Sequence, residues 1–482
     1  MIGIILAGGS GTRFWPKSRE TLPKQLIKIA GSKTMIQYTV ERLLPTINIE
    51  DIYVVTHQFH AFETCRQLKE FGFLPSNLIA EPIAKNTAPA LALASVFLKN
   101  NHLNDVLGIF PADHVISDSG KFKQVLQDSE EIAFKDYLVT LGVEPSRPET
   151  GYGYIKKGNP IDKSSNFFKV DKFVEKPDVE TAKAFLAAKE HLWNCGIFFW
   201  KTSRILEELK THMPKTLNQI ESALPCLQTQ KGPYPYLTLD EAGKNIYDSL
   251  EGQSIDYGIM EKSNQVAVGA TNMPWNDVGS WIALSDLEDN DAHGNVLSDD
   301  VIALNCENSI IQSNDRLIAA IGTKELIIID TPDALLVCPK DKAQEVKKIV
   351  EKLKEKEKSQ AKFPSTVHKP WGSYTVLENT PGQLVKRLEV LPGSKLSLQM
   401  HNHRKEQWLV VRGTAEVQLE EKTFLLEKNQ STFIPQGSKH RLGNPGKEPL
   451  TILEVQLGDK IDEDDIVRYQ DDFGREDLDQ KS

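Results

Sequence analysis

Cysteine is scarce and scattered in this chain: Cys65, Cys195, Cys226, Cys306 and Cys338 are five in number and never fall in a Cys-x-x-Cys pair. That spacing argues against a disulfide framework or a zinc knuckle and leaves reduced structural thiols. Any apolar run long enough to span a bilayer is also missing, and the amino terminus lacks the basic stretch, apolar core and small-residue cleavage site of a secretory signal. Positive charge is in deficit. The 57 Lys and Arg against 67 Asp and Glu give −10, so no attraction to nucleic acid or to an anionic membrane is expected. The rest, 40% hydrophobic and 26% charged over 482 residues, fits a globular cytoplasmic enzyme of about three domains.

Two familiar phosphate loops are absent as well. No Gly-x-x-x-x-Gly-Lys-Ser/Thr occurs in the opening segment, and a Gly-x-Gly-x-x-Gly pattern fails after Gly11. Yet residues 6–25, LAGGSGTRFWPKSRETLPKQ, leave the strand-like MIGII through three glycines and run into Arg13 and Lys24. Gly8, Gly9 and Gly11 allow a sharp turn that brings backbone N–H groups close to a bulky guest. A polyanionic phosphate suits them, because Arg13 and Lys24 can neutralise what the amides cradle.

Residues 1–285 alternate apolar runs (IGIIL, DIYVVT, VLGIFPAD, YLVTLGV, GIFFW) with helix-like stretches such as TMIQYTVERLL and APALALASVFLK. This predicts an α/β, Rossmann-like domain with a mostly parallel sheet, whose ligands bind beyond the carboxyl ends of the strands. Residues 286–345 carry short apolar runs without helices between them, as expected of one or two coils of a parallel β-helix. Residues 346–366, rich in lysine and glutamate, read as a solvated helix and linker. Residues 367–475 return to strands punctuated by turns, which fits an antiparallel barrel or jelly roll, and the acidic tail after Asp472 is expected to be frayed.

Several residues stand out against this frame. Asp113 follows an apolar strand in VLGIFPADHVI, and Asp277 lies in PWNDVGSW; together they offer carboxylates for a divalent cation over phosphates, although each alone also suits a turn. In KFVEKPD, Glu175 and Lys176 precede a proline, so the chain is expected to be extended with the two charges on opposite faces. In LWNCGIFFW, Asn194 and Gly196 interrupt a run otherwise fit for burial, which suits hydrogen bonding to a sugar or a bulge. GGSGTRFWPKSRETLPKQ, EPIAKNTAPA, FPADHV, FVEKPD, WNCGIFFW and PWNDVGSW, in this order, resemble the mannose-1-phosphate guanylyltransferases. The resemblance implies GTP and mannose 1-phosphate as substrates, with GDP-mannose and pyrophosphate as products. It implies that Gly8, Gly9, Gly11, Thr12 and Arg13 hold the nucleotide phosphates, that Lys24 contacts the reacting phosphates, and that Glu81, Asn86, Thr87 and Ala88 lie near the guanine or ribose. It further implies that Glu175, Asn194 and Gly196 form the mannose site with Lys176 on its phosphate, and that Asp113 and Asp277 hold Mg²⁺. Glucose and thymidine relatives share the glycine-rich loop, and spacing alone does not separate GTP from ATP.

The last segment contains GSKLSLQMHNHRKEQWLVVRG. Gln399, His401 and Glu406, with His440 beyond Pro435 and Gly437, match the spacing of the two cupin motifs, with glutamine in place of the usual first histidine. Residues two apart on a strand share a face, so Gln399 and His401 can point into a barrel together; with Glu406 and His440 they suit Zn²⁺, Co²⁺ or another divalent metal. HKPWGSY, VKRLEV, LSLQMHNHRKEQW and GTAEV resemble the type II phosphomannose isomerases fused behind a guanylyltransferase. That implies interconversion of fructose 6-phosphate and mannose 6-phosphate, with Lys386, Arg387 and Arg404 as candidates for the substrate phosphate or for charge stabilisation. One departure is Gln407, where the family has the second histidine of His-Arg-x-Glu-His-Trp; as an acid or base it would not titrate near neutrality. The alternative is a guanylyltransferase whose barrel is a non-catalytic sensor or assembly module. Whether the chain forms a homo-oligomer is left open.

Overall fold

The apolar start of the chain forms a buried strand, Ile2–Ala7, inside an eleven-stranded sheet. Ile4 and Ile5 point to opposite faces and are both fully buried, so layers cover both sides of the sheet, as its near-continuous apolar run requires. Ile2–Ala7 pairs in parallel with Ile52–His57 and Val106–Pro111, and Ile52–His57 pairs with Leu78–Glu81. Three strands run against the majority: Phe167–Val174, His191–Lys201 and Leu227–Thr229. The long strand His191–Lys201 joins Val106–Pro111 to Leu138–Val143 from between them. Helices Thr87–His102, Thr202–His212 and Pro214–Ala223 cover one face, with Leu91, Leu209 and Ile220 in a shared core with Ile4 and Trp200.

The computed structural model describes residues 1–9, 11–162, 166–461 and 463–470; the tail after Asp472 and the end of the expected barrel segment lie outside them. The chain divides into two compact units, the second made of Lys231–Pro235 and the chain from Ser359 onward. In the first, Val296–Leu297, Ile310–Gln312 and Leu326–Thr331 stack in parallel, and Val301–Leu304 stacks on Ile318–Ile321, which is the coil geometry expected of a β-helix.

The charged helix differs from its sequence reading as a solvated linker. Val346–Glu355 buries Val346 and Val350 in one cluster with Phe14, Trp15, Trp281, Ile310 and Ile327, so this helix and the coils form part of the scaffold of the glycine loop. A second difference lies at Glu175 and Lys176. Lys176 takes a left-handed conformation (φ 45°), and its ammonium turns back onto Glu175 at 3.0 Å instead of pointing to the opposite face.

The second unit is two facing sheets. One contains Gly372–Thr380, Gln383–Val390, Leu450–Gly458, Arg404–Arg412 and Ser431–Ile434; the other contains Ala415–Leu419, His440–Gly443 and Leu398–His401. Trp371, Leu388, Val410, Val417, Leu442 and Ile452 fill the space between them.

Candidate active sites

Beyond the carboxyl ends of Ile2–Ala7, Leu78–Glu81 and Val106–Pro111 lies a cavity of about 460 Å³. It brings together Gly8, Gly9, Glu81, Asn86, Thr87, Asp113, Glu175, Asn194, Gly196 and Asp277, residues that the sequence scatters over 270 positions. Arg13, Lys24, Lys176, Gly11, Thr12 and Ala88 are not among its lining residues. The Ala88 N–H is already bonded to Gln253 O at 3.0 Å, and Arg13 is exposed, its guanidinium donating to Gly279 O (2.8 Å) and to Gln344 Oε1 (3.2 Å).

Lys24 joins the two aspartates. Its ammonium donates to Asp113 Oδ2 (2.9 Å) and to the backbone carbonyl of Asp277 (2.5 Å). Burial works against the charged form of Asp113, but the Lys24 ammonium beside it holds the carboxyl below its ordinary value. Asp277 accepts from the Tyr152 hydroxyl at 2.5 Å, and Val278 after it is held buried at φ 50°, a strained position for a β-branched residue. The donor set thus holds a cationic ammonium between two acidic residues, and one or two carboxylates plus phosphate oxygens are what Mg²⁺ accepts.

Around Asn194 the polar groups are closely tied. Asn194 Oδ1 accepts from Thr140 Oγ1 (2.8 Å) and Gly196 N (3.1 Å), while its Nδ2 donates to Asp256 Oδ1 (3.0 Å). Gly196 sits at φ 65°, beside the register shift between strands Leu138–Val143 and His191–Lys201. Glu81 accepts from the Tyr247 hydroxyl, and burial pushes its carboxyl up to about 7.

The second site lies inside the barrel. His401, Glu406 and His440 are all buried, with ligand atoms within 4.8 Å of one another; among the described residues this is the one group of three or more His, Cys, Asp or Glu that converges so closely. His440 Nδ1 is bonded to Ser438 O (2.9 Å), while His440 Nε2 is buried without a hydrogen-bond partner and points at Glu406 Oε2 3.8 Å away. An orphaned imidazole nitrogen facing a carboxylate fits a divalent metal, its other nitrogen fixed by a carbonyl. Gln399 Nε2 lies 3.4 Å from His401 Nε2. Burial disfavours a charged Glu406, yet His401, His440 and Arg404 hold its carboxyl well below the usual range. Arg404 is buried with Nε 3.2 Å from Glu406 Oε1. Lys386 faces the interior, opposite Glu454 in register, but Arg387 falls on the exposed outer face and is not brought to this set. Gln407 alternates outward in the same way, between buried Glu406 and Trp408.

Family profiles cover most of the chain: nucleotidyl transferase matches residues 2–294, the mannose-phosphate isomerase/GMP-like β-helix domain residues 299–353, and the mannose-6-phosphate isomerase C-terminal domain residues 356–471. The xanthan biosynthesis protein XanB of Xanthomonas campestris pv. campestris is 42% identical over 475 residues, 98% of this chain and 99% of that one. The mannose-1-phosphate guanylyltransferase of Klebsiella pneumoniae is 39% identical over 98% of this chain and all of its own length. The chain belongs to the nucleotidyl transferase family, in its mannose-1-phosphate guanylyltransferase branch. The alginate biosynthesis protein AlgA of Pseudomonas aeruginosa is a further relative, 40% identical over 98% of this chain and 97% of its own. Among solved structures, the Thermus thermophilus protein named mannose-1-phosphate geranyltransferase is 31% identical, with a TM-score of 0.63 over 73% of this chain and 99% of that one.

Within this guanylyltransferase fold, sequence reading missed several cavity residues: His114, Tyr152, Gly153, Asp256 and Trp275. Gly153 carried a signal, since ETGYGY places glycines on both sides of a tyrosine; a Cβ on it would stand 2.5 Å from Glu175 Oε2. Asp256 carried none, because SIDYGIM reads as an ordinary helical turn. In the barrel, Glu454 and Gln456 were missed, though both meet Trp408 or Glu406 at 3.0–3.1 Å. Period-2 spacing in LTILEVQL puts both on the face of buried Leu450 and Ile452.

Proposed function

We propose that this enzyme transfers GMP from GTP to mannose 1-phosphate, giving GDP-mannose and pyrophosphate, and that its barrel interconverts fructose 6-phosphate and mannose 6-phosphate. The observation that carries the first reading is the single cavity lined by Gly8 and Gly9, by Asp113 and Asp277, and by Glu175 and Asn194. In it the open face of Gly8 and Gly9, where a Cβ on either would have no heavy atom within 4 Å, takes the phosphates. Asn86, Thr87 and Glu81 take the nucleoside. Asp113 and Asp277 would hold Mg²⁺, which would offset charge on the phosphates when bound. The phosphate oxygen of the sugar attacks the α-phosphorus in line, and Lys24, 2.9 Å from Asp113, stands ready to offset charge there. Arg13 must leave Gly279 O to join it. Lys176 takes the sugar phosphate after releasing Glu175.

In the barrel, Gln399, His401, Glu406 and His440 would hold Zn²⁺, Co²⁺ or another divalent metal, which would polarise the sugar carbonyl. Arg404 and Lys386 offset charge as a proton passes between C1 and C2. The outward position of Gln407 supports a working isomerase, because a side chain there need not be an acid or base. A cytoplasmic setting suits the GTP requirement and the five free thiols; the 1–285, 286–345, 346–366 and 367–475 division and a homo-oligomer remain part of the proposal. The test is pyrophosphate release from GTP with Mg²⁺ and mannose 1-phosphate, and mannose 6-phosphate formation from fructose 6-phosphate after Zn²⁺ or Co²⁺ addition. Both reactions are expected from one preparation; no pyrophosphate would overturn the first reading, and no isomerisation with any divalent metal would reduce the barrel to a sensor or assembly module.

A further inference from the structure

The cavity holds a carboxylate with no assigned task. Asp256 lines it beside Glu175 and Asn194, and keeps part of its surface open. It opens a π-helical turn, Asp256–Met260, a geometry that aims a side chain where an α-helix would not and recurs at functional sites. The turn is pinned from behind: Ile255 N donates to Thr87 Oγ1 (2.9 Å), and Gln253 O accepts from Ala88 N (3.0 Å). Its position is therefore fixed against the start of the helix Thr87–His102.

The orientation of Asn194 is determined by its neighbours. The Gly196 N–H, which can only donate, lies 3.1 Å from the Asn194 carbonyl oxygen, so the amide nitrogen faces Asp256. Glu175 stands on the same side, since a Cβ on Gly153 would meet Glu175 Oε2 at 2.5 Å and Asn194 Cβ at 3.3 Å. Among the described residues no lysine or arginine is paired with Asp256, the nearby Lys176 being bonded to Glu175. Two neighbouring carboxylates with one ammonium between them are costly if the role is only structural, because an unpaired half-buried carboxylate is penalised and an asparagine would bond Asn194 without that penalty. The arrangement is satisfied by a guest that brings O–H donors.

We propose that Asp256 is a specificity-determining residue of the transferase, accepting a hydrogen bond from a hydroxyl of the hexose of the sugar phosphate, next to Glu175. This rests on the guanylyltransferase reading and names a second carboxylate in its sugar subsite. Burial, and then the Glu175 charge, push the Asp256 carboxyl up to about 7, in keeping with a pair that gains from a hydroxyl donor. A site built to bond a hydroxyl discriminates strongly against an analogue that lacks it, because the protein group is then left unpaired.

The test is kcat/KM for mannose 1-phosphate and its 2-, 3-, 4- and 6-deoxy analogues, in the full-length wild type and in Asp256→Asn and Asp256→Ala, with calorimetric binding of the same sugar phosphates. The expected result is a loss of about 10²-fold in kcat/KM for mannose 1-phosphate in both variants, with the KM for GTP unchanged. For one deoxy analogue the wild type and the variants should be equal, because the partner hydroxyl is already gone. An equal loss with every analogue would make Asp256 a positioning residue for Asn194 and overturn the proposal, as would no loss at all. Wild-type protein that binds hexose phosphates without releasing pyrophosphate would sink the transferase reading; weaker binding in Asp256→Asn, abolished selectively for one deoxy sugar, would still uphold the subsite.

Discussion

The three glycines of the opening loop do different work. Gly11 lies at φ 57°, and a Cβ there would sit 2.4 Å from Lys24 Cβ and 2.7 Å from Lys24 N, so its close approach is to the chain itself. A Cβ on Gly8 or Gly9 would meet nothing within 4 Å, and both line the cavity. Gly11→Ala should therefore destabilise the protein by on the order of 2 kcal/mol and displace Lys24, whereas Gly8→Ala should leave the thermal midpoint unchanged and raise the KM for GTP. Thermal unfolding and pyrophosphate release on the two variants separate these outcomes. Glu81 gives a pH dependence. Its folded-state carboxyl is raised to about 7 by burial, so the folded protein holds a proton that the unfolded chain has released, and stability falls as pH rises from about 4.5 to about 7. Asp256, raised to the same value, contributes over the same interval, so Glu81→Gln should make the fall in thermal midpoint shallower without abolishing it; an unchanged slope would remove Glu81 as a source.

At the scale of elements, the strand Arg404–Arg412 decides what the barrel can do. Arg404, Glu406, Trp408 and Val410 are buried, while Gln407 and Leu409 alternate to the other face. A strand was legible in QWLVVRG, as was the ligand spacing from Gln399 to His440. Which face of each strand is the inside was not, because VKRLEV is polar on both faces; Arg387 was accordingly grouped with Lys386, although only Lys386 opposes Glu454. Likewise the π turn at Asp256 depends on the bond from Ile255 N to Thr87, a partner 168 residues away that no local pattern contains. Two outcomes follow from the strand. Gln407→His should leave isomerase turnover within about threefold, since the half-buried side chain lies on the strand face opposite Glu406. His440→Ala should remove the bound metal, read by elemental analysis of the purified protein, and with it the turnover, because it deletes one of the three buried histidine and glutamate groups that converge there.

At the scale of the molecule, the sequence separates a catalytic domain, a coil segment and a charged linker, but the hydrophobic clusters join them. Val346, Val350 and Leu353 form an apolar stripe on one side of a helix whose other residues, Ile349 apart, are lysine and glutamate; the mixed charge outweighed that stripe in the sequence reading. In the folded unit that stripe meets Phe14 and Trp281, the residues that flank the glycine loop and Asp277. Gln344, just before the helix, also accepts from Arg13. The helix thus supports the transferase cavity from 330 residues away along the chain, while none of its residues belongs to the barrel's ligand set. Val350→Asp places a charge in this cluster at a cost on the order of 3 kcal/mol, so it should loosen the glycine loop and lower GTP-dependent pyrophosphate release at 37 °C. Isomerase turnover of the same preparation should stay at the wild-type value, because Val350 and the ligands His401, Glu406 and His440 lie in different compact units. Equal loss of both reactions would mean that the helix stabilises the whole chain; loss of neither would mean that the coils hold the loop without it.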